Sequence, residues 1–170
     1  MFSKNKIYKA EGIIIKKADL GESDRLFNVY TREFGKLQLK AKSVRKSESK
    51  LKGYLDIFNY ARFLIVKSKT IDIITDVESM DCFLNMRADL ALIQRAFYIA
   101  NLCDKLIAGQ EQDEELWNFI LESFQQLNQG IIASDFEENL LEILGYGNLK
   151  DRNNQRAIDF IGELLNLPKI

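Results

Sequence analysis

Lys36-Leu37-Gln38-Leu39-Lys40-Ala41-Lys42-Ser43 alternates strictly between apolar and polar side chains. Successive Cβ atoms of a strand point to opposite faces, so Leu37, Leu39 and Ala41 share one side and Lys36, Gln38, Lys40 and Lys42 the other. The stretch reads as a strand with one face in a core and the other a row of ammonium groups. Just upstream, Arg32-Glu33-Phe34-Gly35 closes a hairpin, with glycine available for a positive φ, and residues 25–31 form its first arm. Gly21-Glu22-Ser23-Asp24 punctuates as a turn. Residues 7–17, centred on Ile13-Ile14-Ile15, suit a strand buried on both faces, with Gly12 marking a bend or bulge. Downstream, a polar loop over 44–52 leads to runs at 55–66 and 70–75, joined at Lys67-Ser68-Lys69. Five short strands in about eighty residues fit a small, partly open barrel of OB-fold type; an SH3-like barrel has a compatible strand count.

From about Asp76 to Asp81 the apolar spacing changes from two to the helical repeat. Ile93, Ala96, Phe97, Ala100, Cys103 and Ile107 form one helical stripe, and Leu116, Trp117, Ile120, Leu121, Phe124 and Leu127 another. Asp113, Glu114 and Glu115 suit the positive end of the second helix, as solvated first-turn residues, and Glu137 and Glu138 read the same way in the third. Ser134 and Asp135 are its candidate caps and Gly145 its stop. A last short helix carries Ile158, Ile161, Leu164 and Leu165 before the only proline, Pro168. The fold class is therefore α+β: an N-terminal five-stranded OB-fold-type β-barrel, residues 1–79, followed by a C-terminal α-helical bundle, residues 80–170.

Charge divides along the same line. Residues 1–80 carry 17 basic and 10 acidic side chains, net +7, and the remainder carries 7 and 15, net −8. A basic lobe on an acidic one suggests polyanion binding by the first. Histidine is absent, which removes Ser/His and Cys/His nucleophile pairs and the commonest metal ligand. Cys82 and Cys103, both in stretches read as helix, have neither disulfide-framework nor metal spacing. Gly145-Tyr146-Gly147 follows a helix and lacks the Gly-Lys-Ser/Thr ending of a phosphate loop. The reading is of a non-enzyme without metal or cofactor. Lacking a long apolar run or a leader-like N-terminus, it is expected to be cytoplasmic and independent of membranes.

The basic set Lys36, Lys40, Lys42, Arg45, Lys46, Lys50 and Lys52 lies within seventeen positions, with Glu48 the only acid among them. Single-stranded nucleic acid needs such a cationic track, with aromatics on which bases stack. Tyr30, Phe34 and Tyr54 flank it and are the candidate platforms, whereas Phe58, Tyr60 and Phe63 read as barrel filling. Arg25 and Arg32 are candidate phosphate clamps, with pairing to Glu22 and Asp24 as the local alternative for Arg25.

Ala10-Glu11-Gly12-Ile13-Ile14-Ile15-Lys16, Gly21-Glu22-Ser23-Asp24-Arg25-Leu26 and Thr31-Arg32-Glu33-Phe34-Gly35-Lys36 resemble the opening of the bacterial recombination-mediator and DNA-repair family RecO. Phe136-Glu137-Glu138-Asn139-Leu140-Leu141-Glu142-Ile143-Leu144-Gly145-Tyr146 resembles the family's helix before its zinc module. The resemblance implies binding of single- and double-stranded DNA, strand annealing in DNA repair and recombination, and recombinase loading onto DNA coated by single-strand-binding protein. It also implies RecR and the acidic C-terminal tail of single-strand-binding protein as partners. Arg87, Arg95 and Lys105 are the cations of the helical half offered to that tail. Residues 148–153 carry no cysteine, so zinc is expected to be absent and the helical half shortened. The alternative reading is an OB-fold protein-interaction module that has lost DNA binding; RNA binding by the same barrel is a third.

Overall fold

The computed structural model describes residues 6–147 and 154–165. Five strands, β1 (Ile7–Leu20), β2 (Asp24–Thr31), β3 (Gly35–Ala41), β4 (Tyr60–Val66) and β5 (Asp72–Asp81), precede five helices. These are α1 (Leu84–Arg87), α2 (Leu90–Leu106), α3 (Glu114–Asn128), α4 (Phe136–Ile143) and α5 (Asn154–Leu164). The strands close into a barrel in the order β1-β2-β3-β5-β4. Its pairings are antiparallel except at the β3–β5 seam, where Leu39 faces Asp72 and Lys40 faces Ile73 in parallel. This is the OB-type arrangement. Pro168 and the cysteine-free stretch 148–153 lie outside the described residues.

The alternation in β3 is realised. Leu37, Leu39 and Ala41 enter the barrel interior with Ala10, Ile14, Phe27, Val29, Phe63 and Ile65. The centre of β1 is indeed buried on both faces: Ile14 points inward, while Ile13 and Ile15 point outward into a second core shared with the helices. That second core holds Trp117, fully enclosed, with its ring 6.1 Å from Tyr30 and 6.0 Å from Tyr60 on the barrel wall. The barrel therefore has two apolar surfaces, an inside and part of an outside, and the helices exist to cover the second.

Several boundaries depart from the periodic pattern. β4 begins at Tyr60, not at residue 55. Leu55 is buried against the barrel core and Phe58, at φ 70°, is buried beneath Phe97 and Phe124, so both plug gaps from a loop. β5 runs to Asp81 because β4 offers it a partner for that whole length, down to Tyr60 opposite Asp81. Pairing supplied by a neighbouring strand overrides a polar composition that looks like the end of an element. Cys82 consequently follows a strand, not a helix. The bulge expected near Gly12 falls between Ile14 and Lys16. Gly12 is instead a point of close approach, where a Cβ would lie 2.7 Å from Val29 Cγ1 and 2.8 Å from Tyr30 O.

The helix ends follow their chemistry. Asp89 accepts from Ala91 and Leu92 N–H, and Asp113 from Leu116 N–H. Asp135 occupies the cap position of α4 without a side-chain hydrogen bond, unlike the expectation for it and Ser134. Gly145, at φ 85°, stops α4: its N–H donates to Glu142 O and that of Tyr146 to Leu141 O. Along α2 the buried set is Ala96, Ile99, Ala100, Leu102 and Cys103. Phe97, placed in the buried stripe by spacing, is half exposed.

Gly35 carries the β2–β3 turn at φ 62°, and a Cβ there would sit 2.5 Å from Glu111 O on the segment before α3. Gly35→Ala is expected to lower stability by about 1–3 kcal/mol through φ strain and backbone overlap together. Urea denaturation with an unshifted midpoint would contradict that account.

Candidate nucleic-acid interface

Residues 42–59 link β3 to β4 as a succession of turns: Lys46 N–H donates to Ser43 O, Ser49 to Lys46 O, Lys52 to Ser49 O and Tyr54 to Leu51 O. Val44 and Leu55 are buried and Leu51 half-buried against the barrel core. With these apolar residues turned in, Lys42, Lys46, Lys50, Lys52 and Tyr54 are turned out into solvent. The loop is anchored at its start. Asp24 Oδ1 accepts from Ser43 N–H at 2.8 Å, and Arg45 N–H donates to Ser23 O at 3.0 Å.

Lys40, half-buried on the outer face of β3, adjoins this loop. Lys40, Lys42, Lys46, Lys50 and Lys52 have no ion-pair partner among the described residues. These five uncompensated cations lie on the outer face of β3 and along the loop that follows it, and half-exposed Tyr54 comes next in the same loop.

The other residues singled out by sequence have different fates. Lys36 begins the same strand face, but its Nζ donates to the carbonyl oxygen of Asp104 at the end of α2 (2.5 Å). Tyr30, opposite Lys36 across β2–β3, is buried against Trp117 and offers no face to a base. Both corrections have one cause: the helices cover this end of the barrel wall, whereas Lys40 makes no ion pair among the described residues. Arg25 pairs with Asp19 at 2.8 Å rather than with Glu22 or Asp24, and Arg45 reaches Asp19 at 3.5 Å and Gly21 O at 3.0 Å. Arg32 meets Glu114 of α3 at 2.7 Å, which ties the β2–β3 turn to the helical half. Arg25 and Arg45 brace the scaffold at the lysine-loop end of β3, and Arg32 braces the turn at its other end. Phe34 is about one-third exposed, edge-on to Tyr8, at the opposite end of β3 from the lysine loop.

Asp104 is the residue that sequence reading missed. Its carboxylate accepts from Lys16 Nζ (2.8 Å) and Asn28 Nδ2 (2.6 Å), and its carbonyl accepts from Lys36. One residue at the end of α2 thus holds β1, β2 and β3. Burial alone would raise its pKa, but the bonds from Lys16 and Asn28 prevail and hold it below the usual carboxylate value. A carboxyl with a depressed folded pKa stabilises above its unfolded value and loses that contribution as pH falls through the folded one. Asp104→Ala is expected to cost about 1–2 kcal/mol at pH 7. The gap from the parent should shrink below a pH of about 4. Urea melts at pH 7 and pH 3 measure both, and a pH-independent difference would count against the carboxylate as the cause.

Residues 5–83 match the family model described as Recombination protein O N terminal, and residues 87–148 match Recombination protein O C terminal. The chain belongs to the RecO family. It is 33% identical over 143 residues to the DNA repair protein RecO of Dehalococcoides mccartyi strain ATCC BAA-2266, covering 82% of this chain and 56% of that protein. With the DNA repair protein RecO of Roseiflexus sp. strain RS-1 the identity is 30% over 147 residues, 84% of this chain and 52% of that one. The chain spans about half the length of these curated relatives. No described helix is long and apolar enough to cross a membrane.

In this RecO-family chain the two matched segments meet at α1, where Arg87 acts as a clasp. Its guanidinium donates to Cys82 O and Ile57 O (both 2.6 Å) and to Asn59 Oδ1 (2.7 Å). Arg95 is equally committed, with both terminal nitrogens on Glu137 (2.7 and 3.0 Å) and its plane near the rings of Tyr98 and Phe136. Neither is offered to an acidic peptide, a correction to the partner-binding set. Glu137, expected in solvent, is buried under this contact. Lys105 alone of the three is exposed. Cys103 is a buried free thiol whose pKa burial pushes up to about 12, as befits an inert core side chain.

Proposed function

We propose that this chain acts in DNA repair by binding DNA along the ridge Lys40, Lys42, Lys46, Lys50 and Lys52, with Tyr54 as an adjoining base platform. The observation that carries the reading is the set of five cations left without carboxylate partners on an OB-type barrel of a RecO-family chain. Arg25 and Arg45 support the ridge by bracing the strand end and turn beside it, while Arg32 ties the far end of β3 to the helical half. Residues 1–79 carry this work, and residues 80–170 form the partner-binding part.

Mechanistically, phosphates of two complementary strands neutralised on one surface repel each other less, so annealing proceeds without nucleotide hydrolysis. Loading of a recombinase onto DNA coated by single-strand-binding protein then requires contacts outside the ridge. RecR and the acidic tail of single-strand-binding protein are the proposed partners, with Lys105 as the exposed cation available to the tail. The acidic helical half would leave the ridge as the principal polyanion surface.

Fluorescence anisotropy with a labelled oligonucleotide tests the reading. Five phosphate contacts give a log–log salt slope of about −3.5 for a single strand. Absence of salt-dependent binding would instead favour a protein-interaction module, and preference for RNA of the same sequence would move the substrate class.

A further inference from the structure

β3 and β5 pair over two residue positions only, and because β5 begins at Asp72, opposite Leu39, the earlier part of β3 has no β5 partner. The gap is a cleft of about 680 Å³, overhung by residues 67–71. That is the size of a site for a nucleotide-scale ligand. Phe34 forms one wall and Tyr8 lies beside it, ring centroids 5.3 Å apart and edge-on at 78°.

An aromatic ring about one-third exposed at a turn would ordinarily be loosely held, and Phe34 is not. Its N–H donates to Thr31 Oγ1, whose own hydroxyl donates to Gly35 O, locking the turn. Tyr8 is fixed in turn by its hydroxyl, which donates to Asp72 Oδ2 at 2.6 Å. Asp72 also accepts from Ser68 N–H (2.9 Å) and faces Lys67 at 3.4 Å, so its charge is consumed locally. Lys6 and Lys69, also in the lining, are exposed and have no ion-pair partner among the described residues. The cleft therefore offers a partly exposed aromatic ring on a hydrogen-bonded turn and a net positive rim.

We propose that this cleft seats one unstacked nucleobase of a single strand, with Phe34 as the stacking platform and Lys69 and Lys6 on the flanking phosphates. The inference rests on the reading that the chain binds DNA, and adds strand discrimination to it. The ridge senses phosphate charge and serves one strand or two. A base can meet the face of Phe34 only when it is free of its neighbours, which a duplex denies it. Lys40, paired with Ile73 at the seam, directly follows Leu39 of the cleft lining in β3.

The test uses the full chain and a fluorescein-labelled twelve-nucleotide oligodeoxythymidylate, beside a duplex of equal length. Phe34→Leu keeps apolar cover over Tyr8 but removes the π face, and Lys69→Glu, fully on the surface, guards against a folding artefact in the first variant. Each is expected to weaken single-strand binding about tenfold and to leave duplex binding within about twofold. Equal losses on both substrates, or none on either, overturn the cleft. If neither variant changes affinity while charge reversal on the ridge abolishes it, the cleft alone falls and the ridge stands. A parent chain that binds no oligonucleotide removes both. Displacement of the strand by low-micromolar thymidine monophosphate would reassign the cleft to a free nucleotide and overturn the proposal.

Discussion

Charge reversal at Lys40, Lys42 and Lys46 is expected to lower single-strand affinity by roughly 100- to 1,000-fold at 50 mM salt and to abolish annealing. Each lost phosphate contact removes about 0.7 from the magnitude of the salt slope, so the slope should flatten from about −3.5 to about −1.4. Because none of the three lysines has an ion-pair partner among the described residues, reversal strands no buried carboxylate. Stability should stay within about 0.5 kcal/mol per substitution. Anisotropy, annealing rate and thermal denaturation on the same preparations separate the electrostatic effect from unfolding. Undiminished annealing by the triple variant would remove the mechanism. Lys36→Glu is the wrong test of the same idea: it brings an anion to the Asp104 carbonyl and weakens the joint with α2.

The largest stability effect should come from the contact between α2 and α4. Glu137 is 1% exposed and receives both terminal nitrogens of Arg95. Removing Arg95 leaves the enclosed carboxylate without its partner, so Arg95→Ala is expected to cost about 3–5 kcal/mol, and Glu137→Ala, which leaves the partly exposed Arg95, somewhat less. For a chain of this size that corresponds to a fall in Tm of roughly 10 °C or more. Replacing both together, Arg95→Met with Glu137→Leu, should recover most of the loss, since no unpaired charge then remains. Urea denaturation of the two single variants and the double one closes the cycle. Single losses below about 1 kcal/mol would mean that water reaches the pair after all.

The two variants sort the roles of the basic residues. On the proposed reading, the ridge lysines should be silent for folding and decisive for DNA, and Arg87 and Arg95 the reverse. Sequence placed them all among the candidate contacts because charge and position are visible in a chain, whereas the identity of a partner 28 to 42 residues away is not.

Legibility followed the range of the interactions. Alternation over residues 36–42 revealed a strand with lysines outside and leucines inside, and helical spacing located α2, α3 and α4, because both patterns repeat within one element. Gly35 and Gly145 were readable as turn and stop because a positive φ is a property of one residue. The strand limits at Tyr60 and Asp81 were not, since β5 is held to its full length by β4. Phe58 looked like strand filling and proved to be a loop residue under α2 and α3.

The chain taken alone carried the barrel-then-helices order, the strand faces, the charge division and the RecO resemblance, all of which depend on neighbouring residues or on local motifs. What it could not carry was which part of the barrel's outer wall stays wet. Periodicity says that Tyr30, Lys36 and Lys40 face outward from their strands; only the packing of Trp117 and the end of α2 buries Tyr30, engages Lys36 and leaves Lys40 half-buried without an ion-pair partner among the described residues. An outward-facing residue becomes a binding residue only where no second core claims it, and that choice is made by three-dimensional contact between distant segments.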